Sequence, residues 1–129
     1  MDFSKQYQQF WKNGNRELAE KIFDKNVLYT FNLIKIQGIN DVFDHLLKRK
    51  GDFKVHYEIF DLCSSPELEY HRWKAQANLD KKFENFSPTD KEFHYSGITL
   101  LRIKNNLITE VIMYSDIDEI LQKQKTLRT

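Results

Sequence analysis

Leu107-Ile108-Thr109-Glu110-Val111-Ile112-Met113-Tyr114-Ser115-Asp116 is the stretch on which the reading of this chain turns. Its β-branched and aromatic content predicts a strand, and Ile117, Ile120 and Leu121 directly after it fall at helical spacing. A carboxylate, Asp116, thus stands where a half-buried strand hands over to a helix, a place from which it can project into any cavity the sheet encloses. Upstream, Lys104-Asn105-Asn106 reads as a tight turn, because asparagine tolerates left-handed backbone. The turn joins a strand of about Glu92 to Ile103 to one of about Leu107 to Tyr114 in a long hairpin. Asp116 then caps the last helix, with Glu119 in the capping-box position.

Working outward from this hairpin, Phe3, Tyr7, Phe10 and Trp11 lie on one face of a first helix that ends at Asn13-Gly14-Asn15. Asn15 caps a second short helix running to Phe23, with Leu18 and Ile22 four apart. Val27 to Phe31 reads as a strand. Asn40 to Leu47 reads as a third helix, closed by Gly51, with Val42, Phe43, Leu46 and Leu47 inward. From Phe53 the period is two, with Phe53, Val55, Tyr57 and Ile59 opposed to Lys54, His56 and Glu58. Leu68 to Asn78 is a further strand in which neither face is cleanly apolar, which suits a polar cavity on one side and a partner subunit or a neighbouring strand's long side chains on the other. Lys82 to Asp90 is polar and turn-like. Helices first, then mostly antiparallel strands and one closing helix, make an α+β pattern.

The totals narrow the function classes. The 129 residues suffice for one domain spanning 1–129 with its own core. Twenty Lys and Arg against nineteen Asp and Glu leave a formal charge of +1 with no basic stripe, which disfavours a nucleic-acid partner. Lys48-Arg49-Lys50 reads as a solvated helix end. The single cysteine, Cys63, cannot form an internal disulfide; in a strand it serves as a small hydrophobe, and a cytoplasmic location fits. The N-terminus has no basic region followed by an apolar run, and no segment reaches the roughly 20 apolar residues of a membrane span, so a soluble, unprocessed protein without a membrane partner is expected. His45, His56, His71 and His94 show no metal-ligand spacing. No nucleophile triad, phosphate loop or dinucleotide fingerprint occurs.

The Trp11 helix followed by Gly14-Asn15, Phe23-Asp24 before the first strand, Gly38 before the third helix, Arg72-Trp73, Pro88-Thr89, Gly97, and Ile108-x-Glu110 leading to Asp116 and Leu121-Gln122 together resemble the SnoaL-like branch of the nuclear transport factor 2-like superfamily. The resemblance spans nearly the whole chain. It implies a cone-shaped, curved mixed sheet, mostly antiparallel, wrapped around three N-terminal helices with a short C-terminal helix. It also implies a homodimer through the outer sheet face and a pocket for a small apolar or carbonyl-bearing molecule. The polyketide cyclases of that branch use an aspartate in the strand-to-helix position as acid and base, without cofactor, and Asp116 matches that position. The sequence departs from the family where Asp90 follows Pro88-Thr89, at Ile112, and at Lys123-Gln124. Phe31 stands where the ketosteroid isomerase branch has its base, and Arg72-Trp73-Lys74 lacks the Arg-x-Asp of the limonene epoxide hydrolase branch.

On that reading Asp116 is the candidate acid/base group, or a helix cap, or both; a carboxylate in a partly apolar pocket is a competent proton acceptor beside a carbonyl. Tyr114 is placed to donate to a developing enolate. Tyr29, Phe31, Tyr57 and Trp73 are pocket walls or core, His71 is a possible lining residue, and either His94 or Tyr95 faces the pocket. Arg72 either anchors a ligand or, as we favour, pairs with a carboxylate such as Glu110. The competing function class is a non-catalytic binding or interaction domain of the same fold.

Overall fold

The alternating segments assemble into one six-stranded sheet. The structure, a computed structural model, describes residues 3–79 and 93–128. In chain order it contains α1 (Phe3–Asn13), α2 (Arg16–Ile22), β1 (Phe23–Phe31), β2 (Ile34–Gln37), α3 (Ile39–Asp52), β3 (Phe53–Ser64), β4 (Leu68–Leu79), β5 (Phe93–Lys104), β6 (Leu107–Ser115) and α4 (Ile117–Arg128). The strand order is β2-β1-β6-β5-β4-β3. β1 runs parallel to β6 and every other pairing is antiparallel, so the sheet is mixed and unclosed. Register shifts at Phe23/Leu28, Ile59/Asp61 and Arg102/Ile103 bend the strands, because an extra residue on one side increases the local twist.

Local chemistry accounts for most boundaries. Asn15 caps α2 by accepting from Glu17 N at 2.8 Å, and Gly14 before it adopts φ +61°. Asn105 and Asn106, at φ +53° and +65°, make the β5–β6 turn read from the sequence. Three boundaries differ from the expectation. Phe23 leaves α2 and opens β1, where it packs edge-on against Tyr7 and Phe10. Asn32, at φ +53°, turns the chain into the short strand β2, which carries no run of alternating residues long enough to be seen beforehand. α3 continues through Gly51 to Asp52. Cys63 is exposed rather than a core hydrophobe. The Pro88-Thr89-Asp90 segment lies outside the described residues, as does Glu92.

The aromatic face of α1 seals one end of the sheet's inner surface. Tyr7 and Phe10 are almost wholly buried with Ile22, Phe23, Tyr29, Phe93, Leu101 and Ile108 in one cluster. Burying such side chains is worth roughly 1.5–3 kcal/mol each, which makes this cluster the main source of stability. The two-faced strand β4 is explained by the same packing. Its inner residues Trp73, Ala75 and Ala77 join the cluster, while the inner polar pair Glu69 and His71 serves α1: the two Glu69 carboxylate oxygens accept from the Phe3 and Ser4 main-chain nitrogens at 3.1 and 3.0 Å, and His71 Nδ1 lies 3.0 Å from Ser4 Oγ.

Gly97 is required by close approach. It pairs with Trp73 on one side and Ser115 on the other. A Cβ at this position would stand 2.4 Å from the Tyr114 carbonyl oxygen and 2.5 Å from the Trp73 ring. The absent side chain lets the indole lie across the neighbouring strand.

Candidate functional site

The curled inner face leaves an apolar cavity between α1, the start of α4 and strands β1 and β3 to β6. It is lined by Tyr7, Trp11, Phe31, Tyr57, His71, Trp73, Ala75, Tyr95, Thr99, Met113, Ser115 and Ile117. About 530 Å³ is unfilled by atoms, the open mouth included, of which about 50 Å³ can hold the centre of a water molecule. Such a narrow space suits a compact ligand of one or two rings.

Each wall is held from behind. Trp73 donates its indole N–H to Thr99 Oγ1 at 2.9 Å and meets Tyr57 and Tyr95 edge-on, with ring centroids 6.1 and 5.7 Å apart. Gln8 Nε2 donates to the Tyr57 carbonyl oxygen at 3.3 Å, which ties α1 to β3. His71 is fully buried, oriented by Ser4 and tilted against Tyr7 at 6.1 Å. Ser115 closes the β6 end: its N–H donates to Asn32 Oδ1 at 3.1 Å, and its hydroxyl donates to the Ser96 carbonyl and accepts from Ile117 N.

The cavity's lining is neutral and mostly apolar. None of its lining residues is Asp, Glu, Lys or Arg. Burial pushes the Tyr7 phenol far above the ordinary tyrosine range, and the Trp11 side chain beside it offsets part of the rise. Tyr57 is raised further, by burial first and by Tyr7 second. Both therefore remain O–H donors at any physiological pH. Only His71, among the lining residues, carries a group whose ordinary titration range is near neutrality. Among the described residues no group of three His, Cys, Asp or Glu side chains is arranged to hold a metal ion.

The residues singled out from sequence divide between the two faces of the sheet. Phe31, Trp73 and Tyr95 line the cavity, and the alternation of β5 resolves the choice between Tyr95 and His94: Tyr95 faces inward and His94 is exposed outside. Tyr29 is wholly buried in the core and tilts against His45 instead of lining the cavity. Tyr114 is 55% exposed on the outer face. Arg72 is also outside, paired with Asp61 at 3.5 Å and lying over the Phe60 ring at 4.7 Å. The expected Arg72–Glu110 pair does not form. β5 stands between their strands, and it sets Arg102 opposite Glu110, where the two pair at 3.1 Å.

Asp116 stands at the strand-to-helix junction but is not among the residues lining the cavity. Its Oδ1 accepts from Ser96 N at 2.8 Å, and its own N–H donates to the Ser96 carbonyl. The first turn of α4 is capped instead by Ser115 Oγ. Asp116 borders an outer hollow with His56, Glu58, Lys74 and His94, and Ala75 and Tyr95 separate that hollow from the cavity, lining both. Tyr7, Trp11, Thr99 and Ser115 were not legible as cavity residues. In the sequence the two α1 aromatics carry only the 3.6-residue period that any core helix shows.

The comparisons with known proteins agree with this architecture. A candidate SnoaL-like polyketide cyclase from Jannaschia sp. CCS1 superposes with a TM-score of 0.81 at 10% identity, over 93% of this chain and 89% of that one. IdmH of Streptomyces antibioticus, a candidate polyketide cyclase, gives 0.79 at 13% identity over 98% and 99% of the two chains. An LEH-like epoxide hydrolase from M. tuberculosis gives 0.71 at 9% identity over 93% and 84%. At such identities these likenesses concern the fold. Among curated proteins none matches the chain. The sequence pattern of the family described as SnoaL-like polyketide cyclase matches residues 2–123, nearly the whole chain, which therefore belongs to that family.

Proposed function

We propose that the chain binds a small, largely apolar, carbonyl-bearing molecule in the inner cavity and acts on it as a cofactor-free cyclase or isomerase. The observation that carries the reading is the lining itself: aromatic walls, no fixed charge, and one buried imidazole held by Ser4. In this role His71 takes a proton from the carbon beside the carbonyl and the electron pair moves onto the carbonyl oxygen; the resulting enolate either closes onto a second carbonyl, whose alkoxide takes the proton back from the imidazolium, or is reprotonated by it at another carbon. Water exclusion by Trp11, Trp73 and Tyr95 raises the value of every hydrogen bond to that oxygen.

Asp116, the carboxylate suggested by the family position, lies outside the cavity lining and accepts from Ser96 N. Deuterium uptake at the carbons flanking the carbonyl of 2-tetralone, followed by NMR in D2O, tests both assignments without knowing the natural substrate. With His71 as the proton acceptor, exchange is faster with the protein than without it, and Asp116→Asn keeps the rate within about threefold, the effect expected of a group outside the reacting shell. Loss of exchange in Asp116→Asn with its fold intact transfers the role to that carboxylate. Binding without exchange makes the chain a carrier or sensor, the second reading open to the same cavity.

The outer sheet face carries exposed Phe60, Ile98 and Tyr114 near the Arg72–Asp61 pair. We assign this apolar face to a homodimer contact, since exposed apolar patches of this kind mark association sites. Sedimentation equilibrium then gives twice the 15.6 kDa chain mass, and Tyr114→Lys shifts it towards the monomer. A monomer at tens of micromolar would refute the assignment.

A further inference from the structure

Two polar groups in the cavity have no use in the folded chain alone. The Tyr7 and Tyr57 hydroxyls are buried and have no hydrogen-bond partner among the described residues, and both residues line the same apolar cavity. Folded proteins leave few buried hydroxyls unpaired, because each one forfeits its hydrogen bonds to water. The two come from different elements, α1 and β3, and are near enough for Tyr7 to act electrostatically on Tyr57. Two phenols brought to one cavity from different elements leave two O–H donors that the described residues do not satisfy.

We infer that the Tyr7 and Tyr57 hydroxyls form a donor pair that receives the carbonyl oxygen of a neutral, ring-bearing ketone or quinone, whose rings lie among Trp11, Trp73 and Tyr95. The class follows from charge and shape. A carboxylate or phosphate entering a cavity whose lining has no Lys or Arg would lose its hydration without a countercharge. A hydrocarbon would leave both hydroxyls unpaired. A neutral carbonyl oxygen has two lone pairs and can accept from both. Trp11, Trp73 and Tyr95 supply faces and edges for a planar ring system. Because the same oxygen gains negative charge when the neighbouring carbon loses a proton, the pair also strengthens its hold as an enolate forms. This assignment rests on the cavity being the ligand site, and it specifies which wall receives which atom.

Both tryptophans of the chain line the cavity, so their fluorescence reports its occupancy. The test titrates 2-tetralone, its hydrocarbon counterpart tetralin, and the anion 2-naphthoate into the wild-type protein and into Tyr57→Phe and Tyr7→Phe. The expected result is that each phenylalanine variant lowers the affinity ratio of 2-tetralone to tetralin by about 3–10-fold, the worth of one hydrogen bond, while tetralin binds as before. In the wild-type complex the carbonyl stretch of 2-tetralone lies below its value in hydrocarbon solvent, and in each variant it moves back towards that value. The melting temperature of the ligand-free variants is unchanged or higher, since each loses an unpaired buried hydroxyl. An affinity ratio and a stretch that neither variant alters would overturn the donor pair while leaving the cavity as the ligand site. Tighter binding of 2-naphthoate than of 2-tetralone would overturn the neutral class. Failure of all three compounds to perturb the tryptophans would remove both the pair and the function proposed for the cavity.

Discussion

Replacing His71 by glutamine is expected to slow deuterium exchange of bound 2-tetralone by about 10²–10⁴-fold, the usual worth of a positioned acid/base group. Glutamine offers Ser4 a polar partner of similar reach but has no lone pair basic enough to take a carbon-bound proton at neutral pH. Ground-state affinity for 2-tetralone should change little, because the ring contacts come from Trp11, Trp73 and Tyr95. The loss therefore falls on the exchange rate at saturation and not on the half-saturating concentration. A second variant separates positioning from chemistry. Ser4→Ala removes the group beside Nδ1, 3.0 Å away, and leaves the imidazole in place, so it should reduce the rate by a smaller factor. Exchange in His71→Gln at the wild-type rate would show that the buried imidazole is structural.

Glu69→Ala should be the most destabilising of the substitutions named for test, by about 3 kcal/mol, or roughly 10 °C in melting temperature for a chain of this size. The carboxylate is 1% exposed and holds the first turn of α1 from more than sixty residues away, one oxygen on Phe3 N and the other on Ser4 N. Both residues are buried, so water cannot replace the lost acceptor. The helix N-terminus also loses the negative charge that its dipole favours. Glu69→Gln, which keeps one oxygen acceptor and loses the charge, should cost about half as much. Because α1 carries Ser4, Tyr7 and Trp11, loosening it opens the cavity, and 2-tetralone binding should weaken along with stability. A melting temperature within 2–3 °C of wild type in Glu69→Ala, an effect below about 1 kcal/mol, would contradict the capping role.

These two residues show how unevenly the site could be read from the chain. Glu69 and His71 sit on one face of a strand whose sequence has no clean apolar side, and the mixture signalled a wall meeting something polar. The polar partner was not legible: it is the first turn of a helix at the other end of the chain. Asp116 presented the opposite case. Its place between strand and helix was plain from local pattern, yet the direction of its carboxylate depends on Ser96, twenty residues upstream and brought alongside by the β5–β6 register.

By itself the sequence determined what depends on neighbours a few positions away: the helix cap at Asn15, the Asn105-Asn106 turn, the period-two strands, the α+β order, and the motif series that resembles its family. The tertiary structure alone decided which face of each strand turned inward, and with it the separation of Tyr95 from His94, of Trp73 from Arg72, and of Met113 from Tyr114. The physical reason is that strand alternation specifies two faces without saying which is concave. That choice is made by bulges, by pairing register and by the packing of α1 across the sheet, all of which join residues far apart in the chain.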